Sequence, residues 1–226
     1  MLFRSKDDGD SYERLGSTNT IYVATGGFTA DNPFDEVDGN QSYVSDCAGP
    51  DYAYIESSPE LRPTNAMSVS AWLRIDGSQC NSMGSALGVP IASPWSESSW
   101  SSPWLAFSIS VGFNYSVYWQ VAVTNAGTLN LRTVGSDTGA FADNTWFHVV
   151  GTYDGDAQNL YVNGALVSTA NYVGKVSWPS THQRILFGLE QVANHANAIT
   201  MQVDNFRMYT NALTAAQVLN LYNNHQ

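Results

Sequence analysis

Positive charge is what this chain has least of: nine Lys and Arg stand against twenty Asp and Glu, a net charge of 9 − 20 = −11. That balance repels phosphate backbones and anionic lipid, which argues against nucleic acid as a partner and leaves calcium and neutral sugars open. No run of eighteen apolar residues occurs, so no stretch reads as a membrane-spanning helix and no membrane insertion is expected. The opening Met1-Leu2-Phe3-Arg4-Ser5-Lys6-Asp7-Asp8 turns acidic where a signal peptide needs an apolar run, so these residues are not expected to act as an export signal. The chain is then either a trimmed mature piece or a protein that reaches the outside by another route, such as assembly into a virus particle. Cysteine is scarce: Cys47 and Cys80 are too few and too widely spaced for a zinc site, and one disulfide or two reduced thiols both remain open.

Helical periodicity is absent until the last fifteen residues. What the chain does hold is 43% apolar residues, 12% of all residues being aromatic, in a length of 226. This excludes disorder and suffices for one generous domain that buries roughly 70% of its unfolded surface. Residues 1–19 are polar and read as an N-terminal arm. From residue 20 to 226 short apolar stretches alternate with Gly, Asn, Asp, Ser and Pro, the punctuation of an all-β sandwich.

The clearest strand is 67–75, where Met67, Val69, Ala71, Leu73 and Ile75 share one parity and should face the core. Trp72 then points the other way, into a second packed layer or onto a concave surface. Residues 146–153 are apolar on both parities and should form an inner strand. The turn Asp154-Gly155-Asp156 leads into Leu160-Tyr161-Val162, and Asn163-Gly164 is a type I′ hairpin signal that returns the chain as Ala165-Leu166-Val167. Further strands are expected between Trp104 and Val134, after a long Ser-rich loop from Gly77 to Pro103. Near the end, Ile199, Met201 and Val203 hold one parity and Phe206 and Met208 the other, which predicts a bulge at Asp204-Asn205. Thr214-Ala215-Ala216-Gln217 has capping-box spacing and opens a short helix.

Several of these segments, in order, resemble the laminin-G-like branch of the concanavalin A-like lectin/glucanase superfamily. They are Val69-Ser70-Ala71-Trp72-Leu73, then Trp146-Phe147-His148-Val149-Val150-Gly151-Thr152-Tyr153-Asp154-Gly155, then Leu160-Tyr161-Val162-Asn163-Gly164, and Val203-Asp204-Asn205-Phe206-Arg207-Met208-Tyr209. Asp51-Tyr52-Ala53-Tyr54-Ile55 also looks like the family's strand ahead of Ala71-Trp72. The resemblance implies an antiparallel two-sheet jelly roll, one sheet convex and one concave, with a short C-terminal helix. It also implies a calcium ion that ties Asp204 to an early segment at Asp38-Gly39 or Asp31; such an ion wants six to eight oxygens.

Fold does not fix activity, so the site residues decide. Glucanases of this fold carry paired carboxylates on a mid-chain strand, yet residues 98–136 contain no Asp or Glu. Glu36-Val37-Asp38 has the opening spacing, but Gln41 stands where a second Glu is required. His148 reads as a packed structural residue, and His182 and His195 have no evident partner for nucleophilic or lyase chemistry. The expected activity is therefore binding without catalysis. Sugar rings stack their C–H faces on aromatic side chains, and Trp95, Trp100, Trp104, Tyr115, Tyr118 and Trp119 are the candidate ligand-binding groups.

One such contact contributes roughly 1.5 kcal/mol, so a few leave affinity near millimolar and useful only in many copies. That favours display on a virion surface, as a bacteriophage capsid decoration or fibre protein bound to other virion proteins or a host glycan. The alternative is a secreted extracellular carbohydrate-binding or adhesion domain, and a polysaccharide-degrading enzyme ranks third.

Overall fold

The computed structural model describes residues 4–5, 12–13, 21–31, 33, 42–47, 51–56, 58–77, 86–94, 105–179, 184–189 and 198–224. They form two antiparallel sheets packed as a sandwich, the jelly-roll class expected. The first sheet runs β11 (Thr128–Gly135), β10 (Val117–Asn125), β9 (Leu105–Gly112), β8 (Ala86–Pro94), β16 (Arg184–Phe187), β6 (Ala53–Glu56) and β3 (Ile21–Val23), and β15 (Lys175–Val176) pairs with the end of β10. The second runs β14 (Ala165–Asn171), β13 (Ala157–Val162), β12 (Phe147–Tyr153), β7 (Met67–Ile75), β17 (Met201–Tyr209), β5 (Ser42–Ser45) and β4 (Gly27–Thr29). A small pair, β1 (Arg4–Ser5) with β2 (Tyr12–Glu13), falls in the polar N-terminal stretch, and α1 (Ala215–Asn224) closes the chain.

Alternation along the strands sets the core. On β7 the five residues of odd number are fully buried between the sheets, where they meet Phe107, Ile109, Trp119 and Val121 of the first sheet in one cluster. The meander β12–β13–β14 forms in the expected register, and Asn163 (φ 50°) and Gly164 (φ 78°) take the two positive φ values of its tight turn. The predicted bulge is present as well, with the β17–β7 register shifting between Asp204 and Arg207 and Asn205 at φ 49°. Thr214 and Gln217 cap the helix reciprocally: Gln217 Oε1 accepts the Thr214 N–H at 2.9 Å, and Thr214 Oγ1 accepts the Gln217 N–H at 3.3 Å.

The expectation of a continuous loop from Gly77 to Pro103 is corrected. Ala86–Pro94 is the central strand β8, held between β9 and β16. Pro90 hid it, because a residue without an N–H belongs at an edge or a bulge. Here it sits inside the register shift between Gly88 and Ile91, and its carbonyl still accepts the Gly188 N–H at 3.0 Å.

Trp72 points away from the core into a second packed layer. Its indole stacks on Tyr222 of α1 at 5.7 Å, and Val218 of the helix is buried against Val150, Tyr161 and Leu213. The outward face of the second sheet is therefore covered by the helix at its β7–β12–β13 part.

Tyr153 fastens the far end of β12. Its hydroxyl lies 2.7 Å from the carbonyl of Tyr172, 2.9 Å from that of Gly174 and 3.1 Å from that of Gly155. Burial first, and then the carboxylates of Asp154 and Asp156, push its pKa up to about 12. Tyr153→Phe should lower the free energy of unfolding by about 1–3 kcal/mol in urea titrations at neutral pH. Because the folded pKa lies above the unfolded value, the hydroxyl's contribution is complete below pH 10 and is lost as pH rises to about 12. The gap between wild type and variant should close across that window.

Candidate functional site

With the helix on the second sheet, the outward face of the first sheet is the other large face: its middle, at Ser108, Ala92 and Leu186, is fully buried, and its two flanks reach solvent at Tyr118, Gln120 and Thr133 and at Tyr54 and Tyr22. Its residues follow from the same parity that builds the core. On β10, Val117, Trp119, Val121 and Val123 point inward, so Tyr118, Gln120, Ala122 and Thr124 point outward. Register carries this to Thr133 on β11 and Ser108 on β9, both level with Gln120. Ser108 Oγ donates to Gln120 Oε1 at 2.9 Å and Gln120 Nε2 donates to Thr133 Oγ1 at 3.1 Å, a chain of hydroxyl and amide groups across three strands. The Tyr118 ring lies over Gly135, where a Cβ would sit 2.6 Å from the ring, and Ser116 Oγ reaches its hydroxyl at 2.9 Å.

Across the middle of the face, Val89, Ala92 and Leu105 are buried with Leu131 packed on them. At the far edge stands an ordered column. The Arg184 guanidinium lies 4.3 Å from the Tyr54 ring centroid, and Tyr22 stacks on Tyr54 at 5.1 Å with 19° between planes. Tyr52, two residues along, stacks on Tyr54 at 6.1 Å. Arg184 Nε donates to Glu56 Oε1 at 3.0 Å.

Among the described residues, Glu56 is the one carboxylate at the outward strand positions of this face, and Arg184 holds it. Two carboxyl groups spaced to flank a glycosidic bond are not assembled there. Ser70 Oγ and His148 Nε2 are 2.9 Å apart, a nucleophile–base distance, but both side chains are buried under α1, where Tyr222 stacks on the imidazole at 6.1 Å. His182, His195 and His225 lie outside the described residues.

The six aromatic candidates separate. Trp119 is corrected to a core residue: it is fully buried, its ring lies on the backbone of Gly151, where a Cβ would sit 2.2 Å away, and Nε1 donates to the Thr152 carbonyl at 3.2 Å. Tyr115 is half-buried in the turn before β10 at φ 60°, edge-on to Phe141 at 5.5 Å, and packs against the core. Tyr118 alone of the three described candidates faces outward, and Trp95, Trp100 and Trp104 lie outside the described residues. The Tyr22, Tyr52, Tyr54 and Arg184 column was missed. Its signal is an outward-parity Tyr beside core-parity Ala53 and Ile55 on one strand, and beside the core-packed Val23 on another.

The calcium donors are only partly in view. Asp31 gives one carboxylate oxygen to Arg74 and the other to Trp146 Nε1 at 3.3 Å, which commits it elsewhere. Asp204 is fully buried and its Oδ1 accepts the Asn205 N–H at 2.6 Å, while Asp38 and Gly39 lie outside the described residues. Among the described residues no three His, Cys, Asp or Glu side chains gather as a metal site. Cys47 is disulfide-bonded, and the sequence holds one other cysteine, Cys80.

A family model described as the concanavalin A-like lectin/glucanases superfamily matches residues 48–219. No curated protein matches the chain in sequence. Among solved structures, it is similar to the binding domain of Paraclostridial Mosquitocidal Protein 1, at 16% identity over 99% of this chain and 52% of that one, TM-score 0.71. The binding domain of botulinum neurotoxin serotype G matches at 17% identity over 98% of this chain and 50% of that one, TM-score 0.68. The binding domain of botulinum neurotoxin DC, solved in complex with SialylT, matches at 20% identity over 100% and 51%, TM-score 0.64. The chain spans about half the length of these structures, and at such identity the likeness shows the fold.

If Trp119 is core, Trp119→Ala should cost about 3–5 kcal/mol of stability, read by urea unfolding. A loss of only a few tenths would return it to the surface candidates.

Proposed function

The chain belongs to the concanavalin A-like lectin/glucanases superfamily, and on that premise we propose that it is a non-catalytic recognition module that binds through the outward face of its first sheet. The observation that carries the reading is the chemistry of that face. Where it reaches solvent it offers the Thr133 hydroxyl, the Gln120 amide and the rings of Tyr118 and Tyr22, and the one carboxylate at its described strand positions is tied to a guanidinium. Such a surface can orient sugar hydroxyls and stack sugar rings, and among its described residues no acid is paired with a base or nucleophile to cleave them. Similar structures support a binding role: the neurotoxin DC domain is described in complex with SialylT and, separately, with rat synaptotagmin II.

A few stacking contacts hold single sugars weakly, near millimolar, so function calls for many linked copies. The leading reading is display on a virion surface, as a bacteriophage decoration or fibre protein beside other virion proteins. The disulfide at Cys47 favours a second reading, a secreted carbohydrate-binding or adhesion domain, since such bonds persist in oxidising surroundings. Multimerised protein on a glycan array should retain one or more sugars, with no turnover of any polysaccharide. Turnover abolished by replacing one carboxylate would make the chain an enzyme instead.

A calcium ion between Asp204 and the Asp38-Gly39 segment, which the family resemblance implies, belongs to the same proposal. Bound at a hundredfold excess over its Kd, an ion adds roughly 2.7 kcal/mol, so chelator should lower the melting temperature by about 5–10 °C. Melting that ignores chelator removes the ion from the proposal.

A further inference from the structure

We infer that the open face of Tyr22 is a stacking site for the pyranose ring of a neutral sugar, an inference that rests on the recognition reading and gives it a place and a ligand class. The topology decides which ring face is open. Strand β6 lies between β16 and β3, so Arg184 reaches Tyr54 from one side and Tyr22 from the other. The order is guanidinium, Tyr54 ring, Tyr22 ring, and β3 ends the path of paired strands, so among the described residues no strand stands beside the far face of Tyr22. That residue is 46% exposed, while Tyr52 and Tyr54 are half-buried.

The column holds Tyr22 ready. Tyr54 is fixed by Arg184 at 4.3 Å and by Tyr52 at 6.1 Å, and Tyr22 is its cross-strand partner, so stacking a ligand freezes little additional rotamer freedom. An open aromatic face takes the C–H face of a pyranose, or a cation. Charge selects between ligands. The only formal charges of the column, Arg184 and Glu56, cancel in their ion pair, and the guanidinium lies at the closed end. An acidic sugar therefore meets no free cation in the column and a protein of net charge −11. A small organic cation is best held by several ring faces, and one open face is a poor cage for it. A neutral sugar needs only the ring, which takes its C–H face without a charged partner.

Saturation-transfer NMR titrations of the whole chain test this with lactose, maltose and cellobiose as neutral probes, 3′-sialyllactose as the acidic one and tetramethylammonium chloride as the cation. We expect at least one neutral disaccharide to bind, with Kd raised about tenfold in Tyr22→Ala and in Tyr22→Leu, which keeps bulk and strand preference without a π face. Tyr22→Phe should stay within about twofold. Binding unchanged in Tyr22→Ala and Tyr22→Leu overturns this site and leaves the recognition reading standing. Stronger binding of sialyllactose or tetramethylammonium than of every neutral probe overturns the ligand class. No transfer from any sugar to the wild type overturns the glycan reading and this site with it.

Discussion

The sandwich depends on one close approach, the Trp119 indole lying on the backbone of Gly151 across the space between the sheets. Any side chain at that position of β12 would meet the ring, so a glycine is required where the strand is otherwise apolar on both parities. The indole N–H ends on the Thr152 carbonyl, which satisfies the single polar atom this large ring brings inside. With Trp119 fixed inward, the parity of β10 is fixed, since a slip of one residue would turn every side chain to the other face. Tyr118 and Gln120 are outward for that reason, and through the β9 and β11 registers so are Ser108 and Thr133. The chemistry of the exposed face is thus a consequence of how the core is closed.

The two outward faces meet different fates. On the second sheet Trp72 and His148 would leave an aromatic patch in water, and α1 covers it with Tyr222 and Val218. The capping box matters here because it starts the helix at the residue that brings Tyr222 over Trp72. Gly164 then admits the helix against the β13–β14 turn, where a Cβ would sit 3.1 Å from Leu219 and Tyr222. No comparable element among the described residues lies over the column at the edge of the first sheet, and Tyr22 there keeps nearly half its surface in water.

Much of this was legible in the residues because period and turn chemistry agree. Strand 67–75, the meander through Asn163-Gly164, the bulge at Asp204-Asn205 and the cap at Thr214 each combine a parity pattern with a residue that permits its special backbone. The central strand β8 was not legible, since Pro90 argues for a loop unless the bulge that accommodates it is known. Trp119 was misread for a different cause: indole is equally suited to a core and to a sugar platform, and only the partner across the sandwich, Gly151, decides. The tyrosine column was hidden by distance along the chain. Tyr22, Tyr54 and Arg184 lie on three strands far apart in sequence, and no local pattern announces that β3, β6 and β16 are neighbours.

The Ser70–His148 pair shows why distance alone does not make a catalytic group. At 2.9 Å the two atoms are as close as in a working nucleophile and base. Yet β7 and β12 place them beneath α1, and the imidazole packs in a cluster of three rings, tilted against Trp72 at 5.3 Å and stacked on Tyr222 at 6.1 Å. A substrate would have to displace the helix, and with it the burial of Val218 and the stacking of Tyr222, before reaching the serine. The same residues that cover this sheet's aromatic patch therefore remove its one nucleophile–base pair from solvent. On the other sheet's outward face, among the described residues, the Ser108 and Ser116 hydroxyls are tied to an amide and a phenol rather than to a base.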